Sequence, residues 1–219
     1  YDIKIGADTN IGYYLYLQGY TLTKIGTGAV RGVNMNTPGS GTIDMNRGIL
    51  SVAKWNNLNS NNDGKTKLIL RENSEFVNRT NRVIPVDELQ LLGGLAIIAD
   101  DQQVLGVKSK FFGYGTPKKL RFWDGVTATL SGNLTVGTSF ELAGNALFEK
   151  DSETEDEVIV SSAGLTVPEG KTITVGEGVV FDIGTCRTAS IVLDGGKLKV
   201  KLLPVDLTVA LNVTGLESV

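Results

Sequence analysis

The feature that most limits what this chain can fold into is how often glycine interrupts short alternating segments. From Leu165 to Ile183 the sequence reads LTVPEGKTITVGEGVVFDI. Apolar and polar residues alternate, and a Gly-Glu-Gly step at 176–178 breaks and restarts the pattern. A period of two puts alternate side chains on opposite faces, which marks strands with one buried face. The same grammar recurs in GTIDMNRGILSV, ATLSGNLTVG, SIVLDGGKLKVKLL and LTVALNV. Glycines at 132, 170, 176, 178, 184, 195 and 196 are expected at tight corners, where φ > 0 is needed. An immunoglobulin-like sandwich would use longer strands and more widely spaced turns. Short strands with frequent corners suit a coil whose rungs stack, each about 20–25 residues around. The expected fold is all-β, a parallel β-solenoid spanning residues 1–219 as one domain. The single helix candidate is Val86 to Leu92, VDELQLL, framed by Pro85 and by Gly93-Gly94.

Composition removes several functional classes. The chain has 219 residues, no histidine, one cysteine and a formal net charge of -3. Without histidine there is no Ser-His-Asp or Cys-His catalysis, no histidine-ligated zinc and no side chain that ordinarily titrates near neutrality. Cys186 cannot form an internal disulfide and is read as a small buried hydrophobe, with a reactive thiol as the sharper alternative. The near-neutral charge implies neither nucleic acid nor an anionic membrane as partner. The longest apolar run, Leu91 to Ala99, is far short of the roughly 20 residues of a spanning helix. A chain that begins at Tyr1 rather than Met is read as a processed product, in keeping with removal of an export signal.

Internal repetition leads to a family resemblance. The stretch from Gly19 to Val52 reads GYTLTKIGTGAVRGVNMNTPGSGTIDMNRGILSV. Its Leu22-Thr23-Lys24, Gly26, Gly28, Thr42-Ile43, Gly48, Leu50 and Val52 match the places of the passenger-associated repeat of bacterial autotransporters. The chain departs from that repeat at AVRGVNM, where Thr-Leu strands are usual. LTVPEGKTITVGEG resembles a second phrase of bacterial surface β-helices. The resemblance implies a right-handed parallel β-helix on an exported protein, extracellular or at the cell surface. It carries over no catalytic residue, because the motif is architectural.

Few segments suggest chemistry. Asp100-Asp101 is a carboxylate pair, but strand neighbours point to opposite faces, so a solvated turn is expected. DSETEDE, residues 151–157, lacks the spacing of a calcium loop and reads as a solvated loop. Gly26-Thr27-Gly28 lacks the ending of a phosphate loop. No metal, cofactor or enzymatic activity is expected. The most unusual stretch is KSKFFGYGTPKKLRFW, residues 108–123. Exposed aromatic rings stack on sugars and cations pair with uronates. Lys110, Phe112, Tyr114, Lys118, Lys119, Arg121 and Trp123 are therefore the candidate ligand residues; the simpler expectation is that the rings fill the core.

The termini suggest a different role. Asp2, Ile3, Lys4 and Ile5 at one end, and Leu207, Val209, Leu211 and Val213 at the other, read as strands without an evident cap. Uncapped end rungs are templates for another chain. Residues 1–110 carry 12 basic and 10 acidic side chains, and residues 111–219 carry 9 and 14, a split that suits complementary ends. The expected function is that of an exported structural surface protein, self-assembling as a homo-oligomer or filament, or adhesive. The alternative is a carbohydrate-binding β-helix with a polysaccharide partner; a polysaccharide lyase or a phage tailspike fragment is a more distant one.

Overall fold

A computed structural model describes residues 3–5, 9–10, 14–36, 41–56, 66–80, 82–93, 95–98, 105–187, 190–202 and 208–212. Among these residues every regular element is a strand. In chain order the strands begin with β1 (Ile3–Ile5), β2 (Thr9–Asn10), β3 (Tyr14–Tyr16), β4 (Thr21–Lys24), β5 (Ala29–Asn36), β6 (Gly41–Met45), β7 (Gly48–Asn56) and β8 (Thr66–Arg71). The middle supplies β9 (Ser74–Asn78), β10 (Ile84–Leu92), β11 (Leu95–Ile98), β12 (Leu105–Gly115), β13 (Lys119–Phe122), β14 (Val126–Val136), β15 (Ser139–Leu142) and β16 (Ala146–Lys150). The remainder is β17 (Val158–Thr166), β18 (Thr172–Gly176), β19 (Val179–Arg187), β20 (Ser190–Asp194), β21 (Lys197–Leu202) and β22 (Thr208–Asn212).

These strands stack in parallel as a β-solenoid. The main ladder runs β1–β4–β6–β8–β10–β12–β14–β16–β18–β20–β22. A second ladder joins β5, β7, β9 and β11 in the first half. In the second half the end of β14 joins β17, β19 and β21. A third ladder links the start of β10, the start of β12, β13, β15 and the end of β17. One inward column of the main ladder passes through Leu22, Ile43, Leu68, Leu89, Phe111, Ala128, Phe148 and Val175. The chain thus returns to the same column after 17 residues (Phe111 to Ala128) at its shortest and 27 (Phe148 to Val175) at its longest. The longest rung contains DSETEDE, which is the solvated loop expected: Ser152, Glu153, Glu155, Asp156 and Glu157 are exposed.

The core is continuous because every rung contributes alternate apolar residues to it. All eight residues of that column are buried. Each such Leu, Ile or Phe contributes about 1.5–3 kcal/mol relative to exposure. In the middle of the rod the rings form a chain: Phe111 to Phe122 at 5.6 Å, Phe122 to Phe148 at 5.7 Å and Phe148 to Phe181 at 4.8 Å between centroids.

Two local expectations are corrected. Val86 to Leu92 is part of strand β10 and not a helix. Ile84, Val86, Leu89 and Leu91 are buried, with a register shift between Val86 and Glu88 that keeps both halves aimed inward. Neighbouring strands supply the hydrogen bonds that a helix would have supplied locally, so tertiary pairing overrides the Pro and Gly framing. Pro85 is tolerated because Ile84–Val86 pairs only with β12 among the described residues, an edge position where a missing N–H goes unnoticed. The glycine corners are also only partly as expected. Gly170, Gly178 and Gly195 have positive φ, whereas Gly132, Gly176 and Gly184 lie within strands.

The motif between Leu22 and Val52 has a physical explanation. Lys24 ends β4 and is 2% exposed, an unusual place for an ammonium group. Its Nζ donates to the Gly26 carbonyl and, at 3.4 Å, to the Arg47 carbonyl of the next rung. A buried cation is tolerable only with such partners. Gly48 closes the same corner at φ +74°, and a Cβ there would lie 2.4 Å from the Gly26 oxygen and 2.6 Å from that of Gly28. Lysine and the three glycines therefore form one corner shared by two successive rungs.

Candidate functional site

The basic-aromatic segment is split by the path of the backbone. On β12, Lys110, Phe112 and Tyr114 alternate with buried Phe111 and with Gly113, and so project outward from the main ladder. Lys110 and Tyr114 are exposed and Phe112 is half-buried. Lys118 is exposed just before β13, while Lys119 and Arg121 lie on β13, which pairs with the start of β12 and with β15. Arg121 pairs with Gly106, six residues along β12 from Phe112. The structure therefore brings Lys110, Phe112 and Tyr114 together and leaves Lys118, Lys119, Arg121 and Trp123 on a different ladder.

Trp123 is committed to packing. A Cβ on Gly106 would fall 1.9 Å from the indole, so the ring lies directly on that backbone, and it packs against the core. Arg121 covers the ring from outside, its guanidinium carbon 5.5 Å from the centroid. Glu141, opposite Arg121 on β15, lies 4.0 Å from its Nε. The Arg121 Nε has no hydrogen-bond partner among the described residues. Trp123 is thus partly buried against the core, whereas Phe111 and Phe122 are fully buried in it.

Around Phe112 the ladder assembles neighbours from distant parts of the sequence. Gln90 and Thr129 flank it on the adjacent strands. Glu88 and Thr127 flank Lys110 in the same way, and Glu149 follows Thr129 one rung further. Together these side chains line a trough of about 490 Å³. The Thr129 hydroxyl donates to Glu149 Oε1 at 2.8 Å and fixes that carboxylate. Tyr114, 42% exposed, extends the aromatic surface along β12, with Gly132 beneath it. Reasoning from the sequence missed Glu88, Gln90, Thr129 and Glu149, since nothing but the rung length would have brought them to Phe112.

The other candidate groups fall elsewhere. Ile3, Lys4 and Ile5 form β1, and Val209 and Leu211 lie in β22, the strands at opposite ends of the main ladder. Asp2, Leu207 and Val213 lie outside the described residues, as do Asp100 and Asp101. Cys186 pairs with Leu165 through the backbone of β19, and its side chain lies outside the description. Among the described residues no cluster of three or more Cys, Asp or Glu is placed to hold a metal ion.

At one corner between rungs, polar side chains form a ladder of their own. The Asp124 carboxylate accepts from the Asn145 N–H at 2.7 Å and from the Lys171 ammonium at 3.3 Å. Those contacts, the Asn145 N–H foremost, hold its carboxyl below the usual carboxylate range. Asn145 Oδ1 in turn accepts from the Thr172 N–H at 2.9 Å. At a neighbouring corner Glu157 is held below its ordinary value by its hydrogen bond and ion pair with Lys197.

The chain matches no protein-family model, no curated protein and no solved structure. The likeness to autotransporter passenger repeats thus rests on the motif residues alone, and what the structure shares with it is the β-solenoid architecture.

Proposed function

We propose that this chain is an exported structural protein of the cell surface, a rigid β-solenoid rod that associates end to end with copies of itself. The observation that supports this most directly is the main ladder, which proceeds in parallel from β1 to β22 with both end strands in the same column. Among the described residues each of the two pairs on one side only. Docking β22 of one copy on β1 of the next would extend the ladder in the same direction and with the same spacing of about 4.8 Å. An association between two different surfaces of identical subunits propagates into a filament unless its rotation closes a ring. The role is structural or adhesive rather than catalytic, in keeping with a sequence that contains no histidine.

Negative-stain electron microscopy and light scattering over a dilution series test this reading. Filaments with a regular axial repeat are expected from the wild type, and Leu211→Pro in β22 should abolish them while leaving the far-ultraviolet circular dichroism of the rod. A monodisperse monomer at every concentration would overturn it.

A further inference from the structure

We propose that the trough over Phe112 binds a neutral polysaccharide, with the sugar chain lying along β12 across the rod. This inference is independent of end-to-end assembly, because the trough lies on the lateral face of the middle rungs and far along the ladder from β1 and β22.

Three observations carry it. First, the Phe112 ring lines the trough, and Tyr114, two residues further along β12 and past Gly113 at φ +122°, places a second exposed ring beside it, next to Gly93 and Gly132. Tyr114 is 42% exposed and Phe112 half-buried, and both face the outer surface; Trp123 is half-buried too, but its ring is pressed on Gly106 and covered by Arg121. Second, the groups around Phe112 suit hydroxyls. Gln90 offers a donor and an acceptor, and Thr127 offers a hydroxyl. The Glu149 carboxylate uses one acceptor site for Thr129 and retains others. A trough with an apolar floor and a few convergent polar groups is the usual form of a small-ligand site.

Third, the charge selects among polysaccharides. Glu88 and Glu149 contribute two negative charges to the trough, and Lys110 contributes one positive charge. The surplus is negative and repels uronate or sulfate groups. The basic residues that made the sequence look suited to acidic sugars, Lys118, Lys119 and Arg121, are not in the trough. The ligand class is therefore a neutral hexose polymer, and acidic polymers are disfavoured.

Affinity gel electrophoresis of the intact chain through soluble glucans, mannans and galactans, with polygalacturonate and alginate in parallel lanes, tests the proposal. At least one neutral polymer should retard the wild type, and the acidic polymers should not. Phe112→Ala should weaken retardation about tenfold or more, the loss of one central contact. Its side chain faces outward, so a thermal midpoint lowered by no more than about 4 °C should separate lost binding from lost folding. Glu149→Gln should retain neutral binding and gain some for polygalacturonate, which a purely structural role for Glu149 would not produce. Absence of retardation by every neutral polymer, preference for an acidic one, or Phe112→Ala binding as well as wild type would overturn the proposal. Filament formation is read separately by microscopy, so failure of either idea leaves the other standing.

Discussion

Replacing Phe148 with alanine tests the interior of the rod most directly. The ring is fully buried and meets three others: Phe122 stacked at 5.7 Å, Phe140 edge-on at 5.9 Å and Phe181 edge-on at 4.8 Å. Truncation of a buried Phe removes its transfer free energy and leaves a cavity that the neighbours only partly fill, a loss of about 3–5 kcal/mol. Each aromatic pair contributes about 0.5–1.5 kcal/mol beyond burial, which places Phe148→Ala toward the upper end of that range. At about 2–4 °C per kcal/mol for a chain of this length, the thermal midpoint should fall by roughly 8–20 °C. Phe148→Leu keeps much of the volume but loses the three ring pairs, so its loss should fall between those of Phe112→Ala and Phe148→Ala. The internal control is Phe112→Ala, where the ring faces out and the loss should stay within about 1 kcal/mol. Thermal melts followed by far-ultraviolet circular dichroism measure all three. In a stack of rungs that touch only their neighbours, weakening the middle also separates the two halves, so Phe148→Ala is expected to broaden the transition or split it. A Phe148→Ala loss below about 1 kcal/mol, or one no larger than that of Phe112→Ala, would refute the inward and outward assignment of these strands.

Other consequences can be measured on the same footing. Gly48→Ala should destabilise by at least about 1–3 kcal/mol, because the left-handed backbone is strained with a Cβ and the carbonyls of Gly26 and Gly28 stand in its way; an unchanged denaturant midpoint would contradict this corner geometry. Asn145→Ala should cost about 0.5–1.5 kcal/mol through the lost hydrogen bond to the Thr172 N–H, which water can reach, and Asn145→Asp should recover most of that loss in chemical denaturation. The pH dependence follows from two carboxylates. Asp124 and Glu157 are both held below their ordinary values in the folded chain, so their contribution to stability is complete above the unfolded carboxylate range near pH 4 and disappears as the pH falls through the folded values. With no histidine in the chain, the thermal midpoint should be nearly flat between about pH 6 and 8 and should drop below about pH 4. Combining Asp124→Asn with Glu157→Gln should flatten that acid limb, and an acid limb that stays as steep would assign it to other carboxylates.

The sequence by itself determined the class of fold. Alternation in TITV, ATLSGNLTV and VIVSS decides which side chains face in, because a strand has a strict period of two whatever it pairs with. Short segments cut by glycine decide that the strands must stack rather than extend, and the corner of Lys24, Gly26, Gly28 and Gly48 shows one such cut shared by two rungs. What the sequence left undetermined is the order along the axis. Rungs of 17 to 27 residues give no fixed period from which to align one strand with the next. The local frame around Val86 to Leu92 favoured a helix, and only pairing with β8 and β12 made it a strand. For the same reason one linear segment of cations and rings was divided between two ladders. Phe112 acquired Glu88, Gln90, Thr129 and Glu149 as neighbours, while Arg121 and Trp123 went to another ladder. Which residues point outward is a property of the chain; which of them meet is decided by registry between rungs, and registry exists only once the coil has closed on itself.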